Sequence, residues 1–171
     1  ARQYPVHLRK KEDTSADEEI LLDENQMAEG HDAYLLANYL ISPDNSKVAI
    51  MFNTTGSYAD FELRVKDLNT GEFLEDFVRG VSSFEWANNS RTIIYSTINK
   101  ELLSDRVMVH TLGDKNPDRL IYLENDKKFN ITVTKSLTKD FVFLNLFSFN
   151  SAEVMLIPAD SPMSKPKIFI P

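Results

Sequence analysis

The stretch LISPDNSKVAIMF, residues Leu40–Phe52, contains the pattern that decides the fold class of this chain. An apolar strand is followed by a short polar turn and then by a second apolar strand, which is typical of a β-hairpin. The same pattern occurs in FEWANNSRTIIY at Phe84–Tyr95 and in VTKSLTKDFVFL at Val133–Leu144. Three hairpins of one design predict a repeated structure built from β-strands.

The spacing of these hairpins indicates the kind of repeat. Asn45 and Asn89 are interpreted as the same turn position, 44 residues apart. Phe141 is interpreted as the counterpart of Thr92 in the third copy, a step of 49 residues. A self-similar period in this range, with four short strands in each unit, is typical of the blades of a β-propeller.

The segments around the hairpins complete the units of four strands. Phe61, Leu63 and Val65 alternate with polar residues, as in a strand with one face in water. Asn25–Glu29 is expected to form one helical turn, which Gly30 ends in a left-handed conformation. Strands are expected at residues 4–9, 19–23, 36–41, 48–52, 61–66, 73–78, 82–86, 92–97, 106–111, 120–123, 130–134, 141–147, 152–158 and 167–170.

These strands predict an all-β fold, a partial β-propeller of about three four-stranded antiparallel blades with an N-terminal hairpin from a preceding blade. The blades are expected at residues 35–78, 81–124 and 129–171, and the hairpin at residues 1–24. Closed propellers have roughly four to eight blades. Since a buried Val, Leu or Phe contributes about 1.5–3 kcal/mol, an uncovered blade face is unfavourable. The chain is therefore expected to be part of a longer protein and, alone, to self-associate or rearrange its terminal strands.

Composition argues against several classes of function. The chain has 171 residues and a net charge of −7, which argues against a nucleic acid or an anionic membrane as partner. No apolar run reaches the roughly 18 residues of a membrane span, and no signal-peptide core is found at the N-terminus. The sequence has no cysteine, which favours a reducing compartment. A cytoplasmic location is expected, and a periplasmic one stays open.

Side chains that could bind ligands are better interpreted as structural. His31 and Asp32 are adjacent, and neighbours on a strand point to opposite faces, so a role in linking blades is favoured over acid–base chemistry. The acidic run of residues 13–19 (Asp13, Asp17, Glu18 and Glu19) lacks the glycine-containing calcium loop and is interpreted as a solvated loop. No cofactor is predicted.

Several other features are also given structural interpretations. The glycosylation patterns at Asn53, Asn88 and Asn130 are interpreted as coincidental. Trp86 is the sole tryptophan and is expected to pack between blades. A phenylalanine stripe is expected to belong to the core between blades and consists of Phe141, Phe143, Phe147 and Phe149.

A family resemblance covers nearly the entire chain. The segments that carry it are Tyr4–His7 (YPVH), Glu19–Asp23 (EILLD) with Asn25, Ala28–Asp32 (AEGHD), Ser42–Asn45 (SPDN), Val65–Glu72 (VKDLNTGE), Trp86–Asn88 (WAN), Arg106–Gly113 (RVMVHTLG) and Pro158–Asp160 (PAD). In this order and spacing they resemble the propeller of the prolyl oligopeptidase family of serine peptidases, and within it the oligopeptidase B group. The YPVH and GHD segments are the more specific ones, because the others are common propeller turns.

The resemblance implies a protein of two parts. In the family, a seven-bladed propeller lies over an α/β-hydrolase domain with a Ser-Asp-His triad, and the propeller restricts entry so that only short peptides are cleaved. The oligopeptidase B group cleaves after Lys or Arg. The resemblance therefore implies short basic peptides as substrates and the C-terminal hydrolase domain as the partner of this chain.

None of the triad is expected in this chain. The hydrolase nucleophile lies on a Gly-x-Ser-x-Gly turn, and Gly56-Ser57-Tyr58 lacks the second glycine. The three histidines, His7, His31 and His110, all lie in segments that resemble propeller. We therefore predict no catalytic, cofactor-binding or metal-binding residue, and an inactive chain.

Two functions from different classes follow. The first is the substrate-gating part of a serine oligopeptidase, in which negative charge concentrates peptides that contain Lys or Arg. The second is a propeller without enzymatic activity that acts as a docking platform for proteins and shares only turn motifs with the peptidases. A Gly-x-Ser-x-Gly turn encoded after Pro171 would distinguish the two.

Overall fold

The computed structural model describes residues 3–11 and 13–170. The described residues form fourteen strands and one short helix. In chain order they are β1 (Val6–Lys10), β2 (Glu18–Asp23), α1 (Glu24–Ala28), β3 (Leu35–Ile41), β4 (Lys47–Asn53), β5 (Glu62–Asp67), β6 (Phe73–Arg79), β7 (Val81–Trp86), β8 (Thr92–Ile98), β9 (Ser104–Thr111), β10 (Arg119–Leu123), β11 (Asn130–Lys135), β12 (Phe141–Phe147), β13 (Ala152–Pro158) and β14 (Lys167–Ile170).

The strands form a two-stranded hairpin and three four-stranded antiparallel sheets. We name the sheets the first blade (β3–β6), the second blade (β7–β10) and the third blade (β11–β14), and each is paired in chain order. The predicted fold class, a partial propeller with an N-terminal hairpin, is confirmed. Every predicted strand is present, with bounds that agree within two residues. Residues 1, 2 and 171, at the ends of the predicted ranges 1–24 and 129–171, lie outside the described residues, as does Glu12.

The first turn of each blade has one hydrogen-bond pattern. The first residue of the turn donates its N–H to the carbonyl oxygen of the residue five positions later, and the N–O distance is 2.9 Å in each blade. These pairs are Ser42–Lys47, Ala87–Thr92 and Ser136–Phe141. The predicted correspondence of Thr92 with Phe141 is therefore confirmed. A left-handed residue lies within each turn, and these are Asn45, Ser90 and Lys139.

The predicted correspondence of Asn45 with Asn89 is wrong by one residue. Asn45 has a φ of 59° and its counterpart is Ser90, with a φ of 54°. Asn89 corresponds instead to Asp44, since each side chain accepts the N–H of the residue two positions later at 3.0 Å. The sequence misled because Asp and Asn side chains substitute for each other in such turns.

The core consists of apolar layers between neighbouring sheets. Successive residues of β4 point to opposite faces of the sheet, because side chains alternate along a strand. Val48, Ile50 and Phe52 pack towards the hairpin, whereas Ala49 and Met51 pack towards the second blade. A further layer joins the second and third blades and contains Ile94, Val107, Val109, Ile131, Val133, Val142, Leu144, Leu146 and Ile157.

The predicted placement of the phenylalanine stripe in the core is wrong for this structure. Phe141 and Phe147 are 37% and 43% exposed, and Phe149 is fully exposed in a loop. The residues of β12 that are buried against the second blade are Val142, Leu144 and Leu146. Because the side chains of β12 alternate, the phenylalanines lie on the opposite face, which no described sheet covers.

The two ends of the blades have different connections. At one end of each blade lie the turn between its first and second strands and the turn between its third and fourth strands. Neighbouring blades contact each other there, because Asn88 in the turn between β7 and β8 donates its N–H to the carbonyl of Ala159, after β13, at 3.0 Å. We name this the turn end. At the other end lie the loops between the second and third strands of each blade, residues 54–61, 99–103 and 148–151, with the links between blades. We name this the loop end.

Candidate functional site

The histidines do not form a catalytic pair with a hydroxyl group. His7 Nε2 lies 2.6 Å from Oε1 of the buried Glu24, and its ring meets the Tyr39 ring edge-on at 4.9 Å. His31 and Asp32 are exposed, and they precede β3 rather than lying on a strand, so the strand geometry assumed for this pair is wrong. Their predicted role in the link between blades stays a prediction. Within residues 3–11 and 13–170, none of the three histidines has a serine or threonine hydroxyl as hydrogen-bond partner.

His110 lies at the centre of a buried polar network between two blades. Its Nδ1 is 2.8 Å from Oδ1 of Asp118, and its Nε2 is 3.1 Å from Oδ1 of Asp76. Asp76 lies on β6 of the first blade, whereas His110 lies on β9 of the second. Asp76 also accepts the N–H of Gly113 at 2.7 Å. Because both ring nitrogens face carboxylates, an imidazolium ring here would donate two charge-assisted hydrogen bonds.

Tyr95 completes this network on the second blade. Its hydroxyl donates to Oδ2 of Asp118 at 2.6 Å. Burial raises the pKa of Tyr95, and the hydrogen bond to Asp118 raises it further. Sequence reasoning missed the network because Asp76 and His110 are 34 residues apart and lie on different sheets. The arrangement joins two blades and leaves no ring nitrogen of His110 free to activate a nucleophile.

A second set of contacts joins the first strands of all three blades. Trp86 donates its indole N–H to the carbonyl of Leu40 on β3 at 2.9 Å. Lys135 on β11 donates from Nζ to the carbonyl of Trp86 at 2.9 Å. Farther along the same strands, Ser83 Oγ accepts the N–H of Val133 at 2.8 Å. The first strands therefore lie closest together, and the predicted packing of Trp86 between blades is confirmed.

Glu85 lies beside these contacts and has a pKa that is shifted by burial. It lines an open pocket of about 330 Å³ at the turn end, together with Leu40, Trp86, Lys135 and Lys139. Burial raises the pKa of Glu85 to about 7, and the charge and the backbone N–H of Lys135 oppose this only in part. Burial also lowers the pKa of Lys135. Among the described residues, no cationic side chain lies within 4.0 Å of the Glu85 carboxylate.

The acidic loop and the glycosylation patterns have structural contacts. The Asp13 carboxylate accepts the N–H and hydroxyl of Ser15, which lowers the pKa of Asp13, and Glu19 pairs with Arg9 and Lys11. Within the described ranges no group of three or more His, Asp or Glu side chains has the arrangement of a metal site. The three asparagines of the glycosylation patterns use their amide groups in hydrogen bonds to other segments, and they are Asn53, Asn88 and Asn130.

No helix in the part of the chain that the structure describes is long and apolar enough to cross a membrane. The one helix, α1, has five residues, and Asp23 caps it by accepting the N–H of Asn25 at 3.0 Å.

Comparison with known proteins assigns the family. The sequence profile of the family described as "Prolyl oligopeptidase, N-terminal beta-propeller domain" matches residues 1–171. The chain is 33% identical to Protease 2 of Moraxella lacunata over 172 residues, which is 95% of this chain and 25% of that protein. It is also 33% identical to dipeptidyl aminopeptidase BI of Pseudoxanthomonas mexicana, over 94% of this chain and 25% of that protein.

Solved structures show the same fold. Oligopeptidase B from Leishmania major superposes with a TM-score of 0.82 at 22% identity, over 95% of this chain and 23% of that protein. Oligopeptidase B from Trypanosoma brucei superposes with a TM-score of 0.76 over 90% of this chain. The chain thus spans about a quarter of the length of the relatives it matches. With a family match over its whole length, the chain belongs to the prolyl oligopeptidase family of serine peptidases, as part of the N-terminal β-propeller domain.

Proposed function

We propose that this chain is the substrate-gating part of a serine oligopeptidase that cleaves short peptides after Lys or Arg. The observation that carries the proposal is the match of all 171 residues to the propeller domain of a peptidase family. The docking platform without enzymatic activity has no comparable support, because the similarity extends far beyond shared turn motifs. The chemistry is assigned to an α/β-hydrolase domain outside this chain.

The mechanism proposed for the chain is steric and electrostatic. Blades at residues 35–78, 81–124 and 129–171 would form part of a seven-bladed ring, with residues 1–24 from the preceding blade. Their first strands, which lie closest together, would line a channel that excludes folded proteins. The net charge of −7 would raise the local concentration of basic peptides around that channel. A cytoplasmic location is part of the same proposal.

The specificity for Lys and Arg rests on the oligopeptidase B resemblance and on this negative charge. The full-length gene product should hydrolyse a dibasic chromogenic peptide and lose activity with a serine-directed phosphonate. The 171-residue chain alone should do neither, because no described histidine has a hydroxyl nucleophile beside it. Turnover by the purified chain would contradict its assignment as a gate, and a full-length product that ignores basic peptides would contradict the specificity.

We also propose that the isolated chain self-associates through the uncovered blade faces. On the third blade this face carries Phe141, Phe143, Phe147 and Phe169, with the Phe143 and Phe169 rings stacked at 6.2 Å. On the first blade Phe77 is 58% exposed. Contiguous exposed apolar surface of this kind favours association in water.

A further inference from the structure

Two arginines and one glutamate share the hairpin side of the first blade. Ile50 and Phe52 on β4 pack towards the hairpin. Their partners across the sheet, on β5, are Arg64 and Glu62. Directly opposite residues of an antiparallel pair have their side chains on the same face, so Arg64 and Glu62 also face the hairpin side. Arg79 on β6 lies opposite Glu62 and joins them there.

Arg64 differs from the other charged residues of this face because it has no acidic partner. Its Nε is buried, and it has no hydrogen-bond acceptor within residues 3–11 and 13–170. No carboxylate of these residues lies within 4.0 Å of its guanidinium group, which lies over the Phe73 ring with Cζ 4.8 Å from the ring centroid. Buried donors in folded proteins nearly always have an acceptor. The Arg64 guanidinium therefore indicates an acceptor that comes from outside the described chain.

Arg64 lines an open pocket of about 310 Å³ beside α1. The groups that could donate hydrogen bonds into this pocket belong to Thr54, Arg64 and Arg79. Its apolar lining comes from Met27, Phe52 and Phe73. Small-molecule sites have volumes upwards of about 300 Å³ and combine apolar walls with a few polar groups. The pocket therefore has the size and the mixed lining of a site for a small ligand.

The pocket is positively charged, although the chain as a whole carries a net charge of −7. Glu62 is the one acidic residue among its described lining residues, and its carboxylate already accepts a hydrogen bond from Arg79 at 2.9 Å. A guanidinium group has five N–H donors, and the Arg79 side chain is 66% exposed, so Arg79 retains donors for a second acceptor. The nearby ring of His31 can donate a further N–H. Donors in excess of acceptors favour a ligand with negative charge.

The apolar walls indicate which kind of anion fits. Guanidinium groups bind carboxylate and phosphate oxygens through paired N–H donors. Inorganic phosphate would occupy the donors but would leave Met27, Phe52 and Phe73 in contact with water. A carboxylate attached to an apolar group would use the same donors and would also cover these side chains, which adds hydrophobic stabilisation.

We propose that this pocket binds a small organic carboxylate with an apolar body, such as the C-terminus of a peptide that ends in leucine. Arg64 would donate to the carboxylate through Nε, Arg79 and Thr54 would donate to its second oxygen, and the apolar body would lie against Phe52 and Phe73. The inference is independent of the proposed function, because it uses contacts within this chain alone and requires no hydrolase domain.

Two other occupants would give different results. A water molecule would accept from the Arg64 Nε but would leave the charge of the guanidinium group without a counter-charge. An acidic side chain from a second copy of the chain would supply that charge, and it would make Arg64 part of an interface. Binding of a free carboxylate distinguishes the proposal from the first, and the mass in solution distinguishes it from the second.

Isothermal titration calorimetry of the full-length gene product at pH 7 tests the proposal with three probes. These are N-acetyl-L-leucine, its uncharged counterpart N-acetyl-L-leucinamide, and inorganic phosphate. We expect N-acetyl-L-leucine to bind at least tenfold more tightly than either of the others. No measurable binding of N-acetyl-L-leucine, equal affinity for the acid and the amide, or tighter binding of phosphate would each overturn the proposal.

Substitutions assign the binding to this pocket. Arg64→Gln should weaken binding of N-acetyl-L-leucine at least tenfold, because it removes the buried donor and its charge. Arg79→Gln changes a mostly exposed side chain, which the fold tolerates, and should weaken binding about threefold or more. Arg119→Gln removes an exposed arginine on β10 of the second blade and is the matched control.

The control variant should bind N-acetyl-L-leucine as the wild type does. Wild-type affinity in both Arg64→Gln and Arg79→Gln, or an equal loss in Arg119→Gln, would place the binding elsewhere and overturn the proposal. Light scattering on the same samples covers the remaining alternative. A lower mass for Arg64→Gln than for the wild type and Arg119→Gln would show that a second copy occupies the pocket, which would also overturn the proposal.

Discussion

Glu85 illustrates how one buried carboxyl group makes stability depend on pH. Its pKa is raised from an ordinary 4.5 to about 7, chiefly by burial. Because the pKa of Glu85 is higher in the folded state, folding favours its protonated form. The protonated carboxyl group therefore contributes fully to stability below pH 4.5, and this contribution is lost as the pH rises through about 7. We expect Glu85→Gln to be more stable than wild type at pH 8 by about 1–2 kcal/mol, allowing for partial exposure, and no more stable at pH 4.

Urea unfolding of both proteins between pH 4 and pH 8 measures this difference. Glu72→Gln, at an exposed turn position, is the control and should show the pH dependence of the wild type. A Glu85→Gln variant that follows the wild-type curve across this range would show that the carboxylate is well solvated.

Leu102 provides a second prediction at the level of a single residue. Its φ is 64°, in the left-handed region, which asparagine tolerates better than leucine does, so Leu102→Asn should stabilise the isolated chain by about 0.5–1 kcal/mol. Leu102→Ala removes the exposed apolar side chain but keeps a residue that disfavours this φ, so it should give no such gain. Urea midpoints for both variants test the explanation. Equal midpoints would show that the backbone conformation is not strained.

Asp76 on β6 connects the first blade to the second through its contact with His110 on β9. Removing its carboxylate in Asp76→Ala would leave one side of the buried His110 ring and the N–H of Gly113 without their acceptor. We expect a loss of about 2 kcal/mol in the free energy of unfolding.

The neighbouring Glu75 supplies a matched control for this loss. It is almost fully exposed and pairs with Lys115 at 3.4 Å, so Glu75→Ala should cost less than about 0.5 kcal/mol. Denaturant titrations of both variants give the comparison. Similar costs for the two substitutions would show that the network contributes no more than a surface ion pair.

The elements were predictable from sequence because their signal is local. Alternation in β5 and the double-sided apolar run of β4 predicted strands that differ from the observed bounds by at most two residues. The phenylalanines of β12 were assigned to a strand correctly and to the core wrongly, because alternation alone does not say which of two faces has a neighbouring sheet. The contact of Asp76 with His110 crosses two sheets, and no local pattern encodes it.

The three sheets form consecutive blades. The hairpin packs on the outer face of the first blade, whereas the outer face of the third blade has no neighbouring sheet among the described residues. The layers between sheets contain the fully buried side chains, whereas the strand β14 is exposed along its length. Stability and solubility therefore conflict in this chain. The internal layers stabilise the blades, and the uncovered face of the third blade exposes apolar surface to water.

This conflict leads to a prediction about the association of the whole chain. We expect the wild-type chain to elute as a dimer or larger species in size-exclusion chromatography with light scattering at tens of micromolar. Phe141→Asp places a charge on the uncovered face of the third blade and should shift the mass towards that of the 19.6 kDa monomer. Leu137→Asp changes a fully exposed residue of the same blade that lies off this face, and it should leave the mass unchanged. A monomeric wild type, or an equal shift in both variants, would show that the exposed face of the third blade does not drive association.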